Sequence, residues 1–293
     1  MIIRSIGQQV RRRLGVYWKL IKSLQTGLLL LTGLAGYMSA RCPVITWRTL
    51  LALTGSLFLA ISGSTVLNMV YDRDIDAQMK RTCNRPLPLG QIRVVEALVL
   101  GVGLSILGIG WAFLLSPIYG IVVFAGFFFD IVVYTIWLKR RTAWSIVWGG
   151  IAGGMPILAG RALGVGQIDW IGLLLSLAVL LWIPTHIMTF NLRHKADYQH
   201  TGVPTFPSAY GDRVTYLAIA LSSVVASVAM GIAAYGIGMT WGYLRVLVVL
   251  SAGLLVLAVS SVVRPSVRLN FGLFKFASIY MLSSMLLVLV ETM

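Results

Sequence analysis

The sequence predicts an all-α integral membrane protein of nine transmembrane helices around a central cavity, with the amino terminus cytoplasmic and the carboxyl terminus outside. Three observations predict it. Of 293 residues, 58% are hydrophobic and only 11% are charged, with a mean hydropathy of +0.88, a surface that no soluble globular chain keeps wet. Apolar stretches of about 20 residues, enough to cross a bilayer as a helix, recur along the chain. The basic residues gather in alternate connections, as the positive-inside rule requires of one membrane face.

Residues 1–22 read as a basic amphipathic lead-in on the cytoplasmic side, carrying Arg4, Arg11, Arg12, Arg13, Lys19 and Lys22. No small-residue cleavage site followed by a soluble domain appears after it, so the next apolar stretch reads as a retained span rather than a signal peptide. The spans are expected at approximately 23–41, 49–71, 94–115, 118–138, 143–163, 168–190, 214–237, 240–262 and 270–290, within a single domain covering 1–293. Arg73, Lys80, Arg81, Arg85 and Arg93 follow the second span, Lys139, Arg140 and Arg141 the fourth, Arg193, Lys195 and Arg213 the sixth, and Arg264 and Arg268 the eighth. Lys275 lies at the start of the ninth, on the same face. Only Arg41, Arg48, Arg161 and Arg245 fall near the other face. The net charge of +15 thus reports topology and attraction to anionic membrane lipid, and calls for no nucleic-acid partner. Cys42 and Cys83 fall on opposite faces, which excludes a disulfide between them, and neither has metal-ligand spacing.

The densest polar stretch runs from Asn68 to Pro88, NMVYDRDIDAQMKRTCNRPLP, at the end of the second span. Ionisable groups are costly beside a membrane, so function is the default explanation. If the helix continues, Asn68, Asp72 and Asp76 stand at i, i+4 and i+8 and form an oxygen-bearing stripe about 12 Å long. A solvated interfacial loop needs no such order. Carboxylates followed directly by Lys80, Arg81 and Arg85 suit a magnesium diphosphate, because Mg²⁺ takes one or two protein carboxylates and completes its shell with phosphate oxygens and water. Asp74 is offset by two residues and belongs to another face of the helix.

Four spans later the sixth span runs into Asn191, Arg193, Lys195 and Asp197. An even number of crossings gives both units one orientation, so this weak parallel repeat brings two polar ends to one side. Asp130 sits alone in mid-span, where a structural pairing and a cavity-lining role are both open. All three histidines, His186, His194 and His200, lie at the second polar end. His186 follows the helix-breaking Pro184; a ligand, a proton acceptor and a structural hydrogen bond are all within its chemistry. The other two read as solvated.

These residues carry a family resemblance. NMVYDRDIDAQMKRT with NRPLP resembles the first aspartate-rich motif of the UbiA superfamily of intramembrane prenyltransferases, in the form typical of its haem O synthase branch. YTIWLKRRT with GGIAGGMP, then WIPTH and DYQHTGVPTFP, resemble that branch's later signatures. The resemblance covers roughly the first six spans, and the last three match in hydropathy and number. Departures exist: Lys22, Ser23 and Leu24 stand where the branch has Lys-Pro-Arg, Ser145 where it has Asn, and Ile187 and Met188 where it has aromatic residues.

The resemblance implies ionisation of a polyprenyl diphosphate in the cell membrane, on its cytoplasmic face. Asn68, Asp72 and Asp76, with Asp197 and Asn191 across the cavity, would hold Mg²⁺, with Asp72, Asp76 and Asp197 the catalytic carboxylates. Lys80, Arg81, Arg85, Lys139, Arg140 and Lys195 would bind the leaving diphosphate, and Tyr71, Tyr134 or Trp137 would face the allylic cation. With farnesyl diphosphate as donor and haem b as acceptor, a vinyl group would attack and water would complete the reaction, and His186 would be a haem ligand. A quinone precursor, a chlorin or a lipid headgroup are the other acceptors the superfamily implies. Transport is the rival class, but transporter sites lie near the midplane, whereas these carboxylates gather at one face.

Overall fold

The computed structural model describes residue 11, residues 13–41 and residues 46–292; Arg4, Arg12 and Cys42 lie outside the described residues. The described chain is helical and contains no strand. The helices are α1 (Ser23–Met38), α2 (Trp47–Tyr71), the short α3 (Arg73–Gln78), α4 (Val94–Leu115) and α5 (Pro117–Phe127), which runs into a π-helical stretch (Phe128–Leu138). They continue as α6 (Ser145–Val165), α7 (Trp170–Arg193), the short α8 (Lys195–Thr201), α9 (Phe206–Ile237), α10 (Trp241–Val263) and α11 (Val267–Thr292). Eight of these segments, with α5 and its π stretch as one, are long and apolar enough to cross a membrane. The chain is an integral membrane protein. The first expected span is the exception, since α1 has only 16 residues, about 24 Å at 1.5 Å per residue against a hydrocarbon core of about 30 Å.

Burial rather than length fixes α1. Its last turns are inside the protein, packed on α6 through small residues, as helices pack where lipid supplies no hydrophobic drive. A Cβ added to Gly160 would stand 1.9 Å from the carbonyl oxygen of Gly33, so no larger residue fits. Helices α7 and α9 pack extensively on each other, as do α2 and α4, while α4 and α10 turn most of their surface outward.

Two ion pairs lie at the end of the molecule remote from Asp72. Arg161 grips Asp169 through Nε and Nη2 at 2.7–3.0 Å and donates to the Ser39 carbonyl at 2.7 Å. Arg41 lies 3.5 Å from Glu291, which also accepts from the Thr240 backbone at 3.1 Å. In the lead-in, Leu20 and Ile21 are buried against Val66, Met69 and Ile92, while Tyr17 Oη donates to Glu96 at 2.6 Å. Residues 13–20 are helical, with Arg13 and Lys19 exposed, as an amphipathic segment requires.

Candidate active site

The stripe is in place although the helix that carries it is not continuous. Helix α2 ends at Tyr71, Asp72 departs from helical geometry at φ −88°, ψ 4°, and α3 begins at once. The i to i+4 bonds nevertheless bridge the break: Asp72 N donates to Asn68 O at 3.0 Å, and Asp76 N to Asp72 O at 2.8 Å. Asn68, Asp72 and Asp76 therefore stay on one side, all buried, at 7%, 2% and 5% exposure. They line a cavity of about 360 Å³. Asp74 points out to solvent, where Arg140 holds it with two bonds of 2.7 and 2.8 Å, and this guanidinium keeps its carboxyl below the usual carboxylate range.

The adjoining wall comes from the π-helical stretch. Asp130, Tyr134 and Lys139 all line the cavity. In an α-helix of 3.6 residues per turn, nine residues make two and a half turns and would set Lys139 opposite Asp130. The i to i+5 winding of a π-helix fits more than four residues into each turn, so spacings of four and five bring all three to one face. Lys139 N bonds Tyr134 O at 2.8 Å, and Thr135 Oγ1 donates to Asp130 O at 2.7 Å while accepting from Asn68 Nδ2 at 2.8 Å. The Lys139 ammonium donates to Asp72 Oδ2 and sits 5.4 Å from the Tyr134 ring centre. Ser64 donates to Asp130. Gly149 faces the Tyr134 ring, where an added Cβ would come within 2.9 Å of it.

Of the six expected diphosphate cations, Arg81, Arg85 and Lys139 line the cavity. Arg85 bonds Asp76 Oδ2 at 2.6 Å. The other three do not line it. Lys80 is exposed, Arg140 is engaged by Asp74 and the Tyr71 carbonyl, and Lys195 bonds Asp212 at 2.7 Å. Of the three aromatic candidates only Tyr134 faces the cavity, since Tyr71 lies under Arg140 and Trp137 is 55% exposed.

Sequence reasoning passed over Lys22, which lines the cavity beside Gln25 and Thr65. It caps α1 in the left-handed region, φ 44°, ψ 58°, a geometry that costs a non-glycine residue about 1–2 kcal/mol. Burial, reinforced by the positive charges of Arg85 and Lys139, pulls its ammonium down to about 8. The available signal was positional: Lys22 stands where the resembling branch has its Lys-Pro-Arg.

The second polar end meets the first through Ile75, Met79, Tyr198 and Val203, which pack together. Asn191 and Tyr198 line the cavity and Asp197, in the short α8, does not. Among the described residues no three His, Cys, Asp or Glu side chains are grouped to hold a metal. The oxygens do fit a hard cation that shares its shell with a ligand: Asp72 Oδ1 and Asn191 Oδ1 are both buried and have no hydrogen-bond partner among the described residues. Buried oxygens left in that state are costly, and a cation satisfies them. His186 lines the same cavity further in.

The sequence profile of the UbiA prenyltransferase family matches residues 29–280. Protoheme IX farnesyltransferase of Pyrobaculum islandicum is 41% identical over 213 residues, covering 72% of this chain and 76% of that protein. The protein of the same name from Desulforudis audaxviator is 37% identical over 280 residues, 94% of this chain and 87% of its own. In three dimensions the chain is similar to a UbiA homolog from Archaeoglobus fulgidus bound to GPP and Mg2+, with a TM-score of 0.68 at 15% identity over 94% of this chain and 99% of that one. Fold, polar stripe and sequence agree, and the chain belongs to the UbiA prenyltransferase family.

Proposed function

We propose that this prenyltransferase moves a farnesyl group from farnesyl diphosphate to a vinyl group of haem b, in a reaction that depends on Mg²⁺. The observation that carries the reading is the cavity wall on which the buried carboxylates Asp72 and Asp76 are paired with the cations Lys139 and Arg85. The named relatives direct it toward haem and a farnesyl donor.

Asp72 and Asp76, with Asn68 and Asn191, are the residues that would hold the metal, and Mg²⁺ bound there supplies Lewis-acid neutralisation of the diphosphate. Lys139 and Arg85 already share the carboxylates' space, so an arriving diphosphate exchanges one set of oxygens for another around the same cations. Lys22 and Arg81 add charge without a carboxylate partner of their own among the described residues. As the C1–O bond breaks, its electron pair leaves with the diphosphate, and these cations lower the barrier where negative charge grows. The allylic cation faces Tyr134, whose ring can stabilise it. The vinyl π electrons form the new C–C bond, and water then captures the cation left on the acceptor and releases a proton, giving a hydroxyethylfarnesyl side chain.

Our reading of the topology has nine membrane crossings, α1 included, in one domain of the cell membrane, with the site at its cytoplasmic face. The distribution of lysine and arginine supports that orientation. Incubation of the purified protein with Mg²⁺, farnesyl diphosphate and haem b should give a pigment heavier by one farnesyl group and one hydroxyl group in its mass spectrum. Unchanged haem alongside prenylation of a phenolic or lipid acceptor overturns the choice of acceptor.

A further inference from the structure

The cavity continues beyond His186. Phe190 and Phe274 line it and also line a second cleft of about 180 Å³, between the C-terminal end of α7 and the N-terminal end of α11. Three features of this cleft are unexplained by diphosphate chemistry. Arg193 lines the cleft and lies 3.9 Å from the centre of the Phe271 ring, while the exposed Lys275, outside the cleft lining, lies 4.4 Å from the same ring, and neither cation has a carboxylate partner among the described residues. Asn270 is only 4% exposed, and its Nδ2 donates to Thr189 O at 2.8 Å. That bond fixes the amide, because a flip would set oxygen against oxygen. Asn270 Oδ1 is left buried without a partner among the described residues. Leading inward from the cleft, His186 is stacked between Phe274 at 4.4 Å and Trp182 at 5.0 Å.

An aromatic run ending at two unneutralised cations complements a flat, apolar molecule with an anionic edge. We propose that Arg193 and Lys275 bind the two propionate carboxylates of the haem acceptor, whose ring lies along Phe190, Phe274 and His186, while Asn270 Oδ1 accepts from water bridging to one carboxylate. This rests on haem being the acceptor. Charge-assisted bonds to carboxylate are the strong ones, and next to a membrane they also orient the macrocycle, with its carboxylate edge toward the polar face and its opposite edge toward the Asp72 cavity. The two cations are binding residues for the acceptor and take no part in ionising the donor.

The test compares haem b with its dimethyl ester as acceptors, in bilayer discs of zwitterionic lipid. For the double variant Arg193→Gln, Lys275→Gln, we expect KM for haem b to rise about tenfold or more, a loss of about 1.4 kcal/mol. The kcat, KM for farnesyl diphosphate and KM for the dimethyl ester should stay within about twofold. A Soret titration without donor should show the same selective loss. Arg193→Lys with Lys275→Arg should keep the preference for the free acid, which separates lost charge from a damaged fold. Equal loss with both acceptors, or a wild-type protein indifferent to esterification, overturns the carboxylate subsite while leaving haem as acceptor. A defect that appears only when phosphatidylglycerol is added assigns the cations to lipid phosphate and overturns it too. Transfer to neither haem overturns the acceptor reading and this subsite with it.

Discussion

Lys139 donates to the Oδ2 of Asp72, 67 residues away in sequence, and thereby joins the end of the π-helical stretch to the broken end of α2. The other carboxylate oxygen, Oδ1, is buried and free of partners among the described residues. Asp72 is thus held by a cation on one side and open to a ligand on the other. Asp72→Asn and Asp76→Asn should each lower the prenyl-transfer rate by about 10²–10³, the usual consequence of removing one transition-state electrostatic contact. The shape of each side chain is nearly unchanged, so both variants should remain folded. Asp74→Asn is the control, since Asp74 faces solvent and pairs with Arg140; its rate should stay within a few-fold of wild type. Steady-state rates within about threefold of wild type for both Asp72 and Asp76 variants would remove the stripe from the metal site.

Lys22 gives the site a pH dependence. Its ammonium titrates near 8 because burial, then Arg85 and Lys139, disfavour the charge. Below pH 8 the lysine is protonated and adds to the attraction for diphosphate; above it the charge is lost, and binding must supply the proton. KM for farnesyl diphosphate should therefore rise as pH passes from 7 to 9. Lys22→Met should show a high KM throughout and no inflection near 8. The same inflection in both proteins would assign it to another group.

Much of this site was legible because α-helical spacing is a reliable ruler where the helix is α. Asn68, Asp72 and Asp76 fall on one face at i, i+4 and i+8, and the ladder survives the break at Asp72 since its hydrogen bonds do. The same ruler fails over Phe128–Leu138, where only the wider π turn brings Asp130 and Lys139 together. Composition has no signature for that winding. Charge counting also fails for Lys195 and Arg140, which resemble Lys139 in sequence but have Asp212 and Asp74 within reach on the surface. Pairing depends on three-dimensional neighbours, which the order of residues does not reveal. The span assigned to 23–41 shows the limit of hydropathy, since α1 is too short by length and is kept in place by close glycine packing.

Orientation is tested at Cys83, whose Sγ lies 3.3 Å from the Lys80 carbonyl in the loop after α3. A thiol reagent that cannot cross membranes should label Cys83 in inverted vesicles and not in sealed cells. Labelling from outside the cell would reverse the proposed topology, and with it the face from which diphosphate enters.

The hydroxyl of Ser278 lies between Phe274 O at 3.0 Å and His186 Nδ1 at 3.2 Å. When its single hydrogen goes to Phe274 O, Ser278 accepts from Nδ1–H, and Nε2 keeps the lone pair that a metal requires. Stacking between Trp182 and Phe274 holds the ring plane. If His186 ligates the acceptor iron, the haem-loaded protein should have a Soret band that shifts in His186→Ala, with haem affinity reduced and farnesyl diphosphate affinity unchanged. Ser278→Ala should weaken haem affinity by about 10-fold or more without abolishing the band, as loss of a group that orients a ligating histidine does. A purely structural histidine behaves otherwise: His186→Ala would lose about 1–3 kcal/mol of stability from the unsatisfied partner, and its spectrum with haem would match that of the wild type.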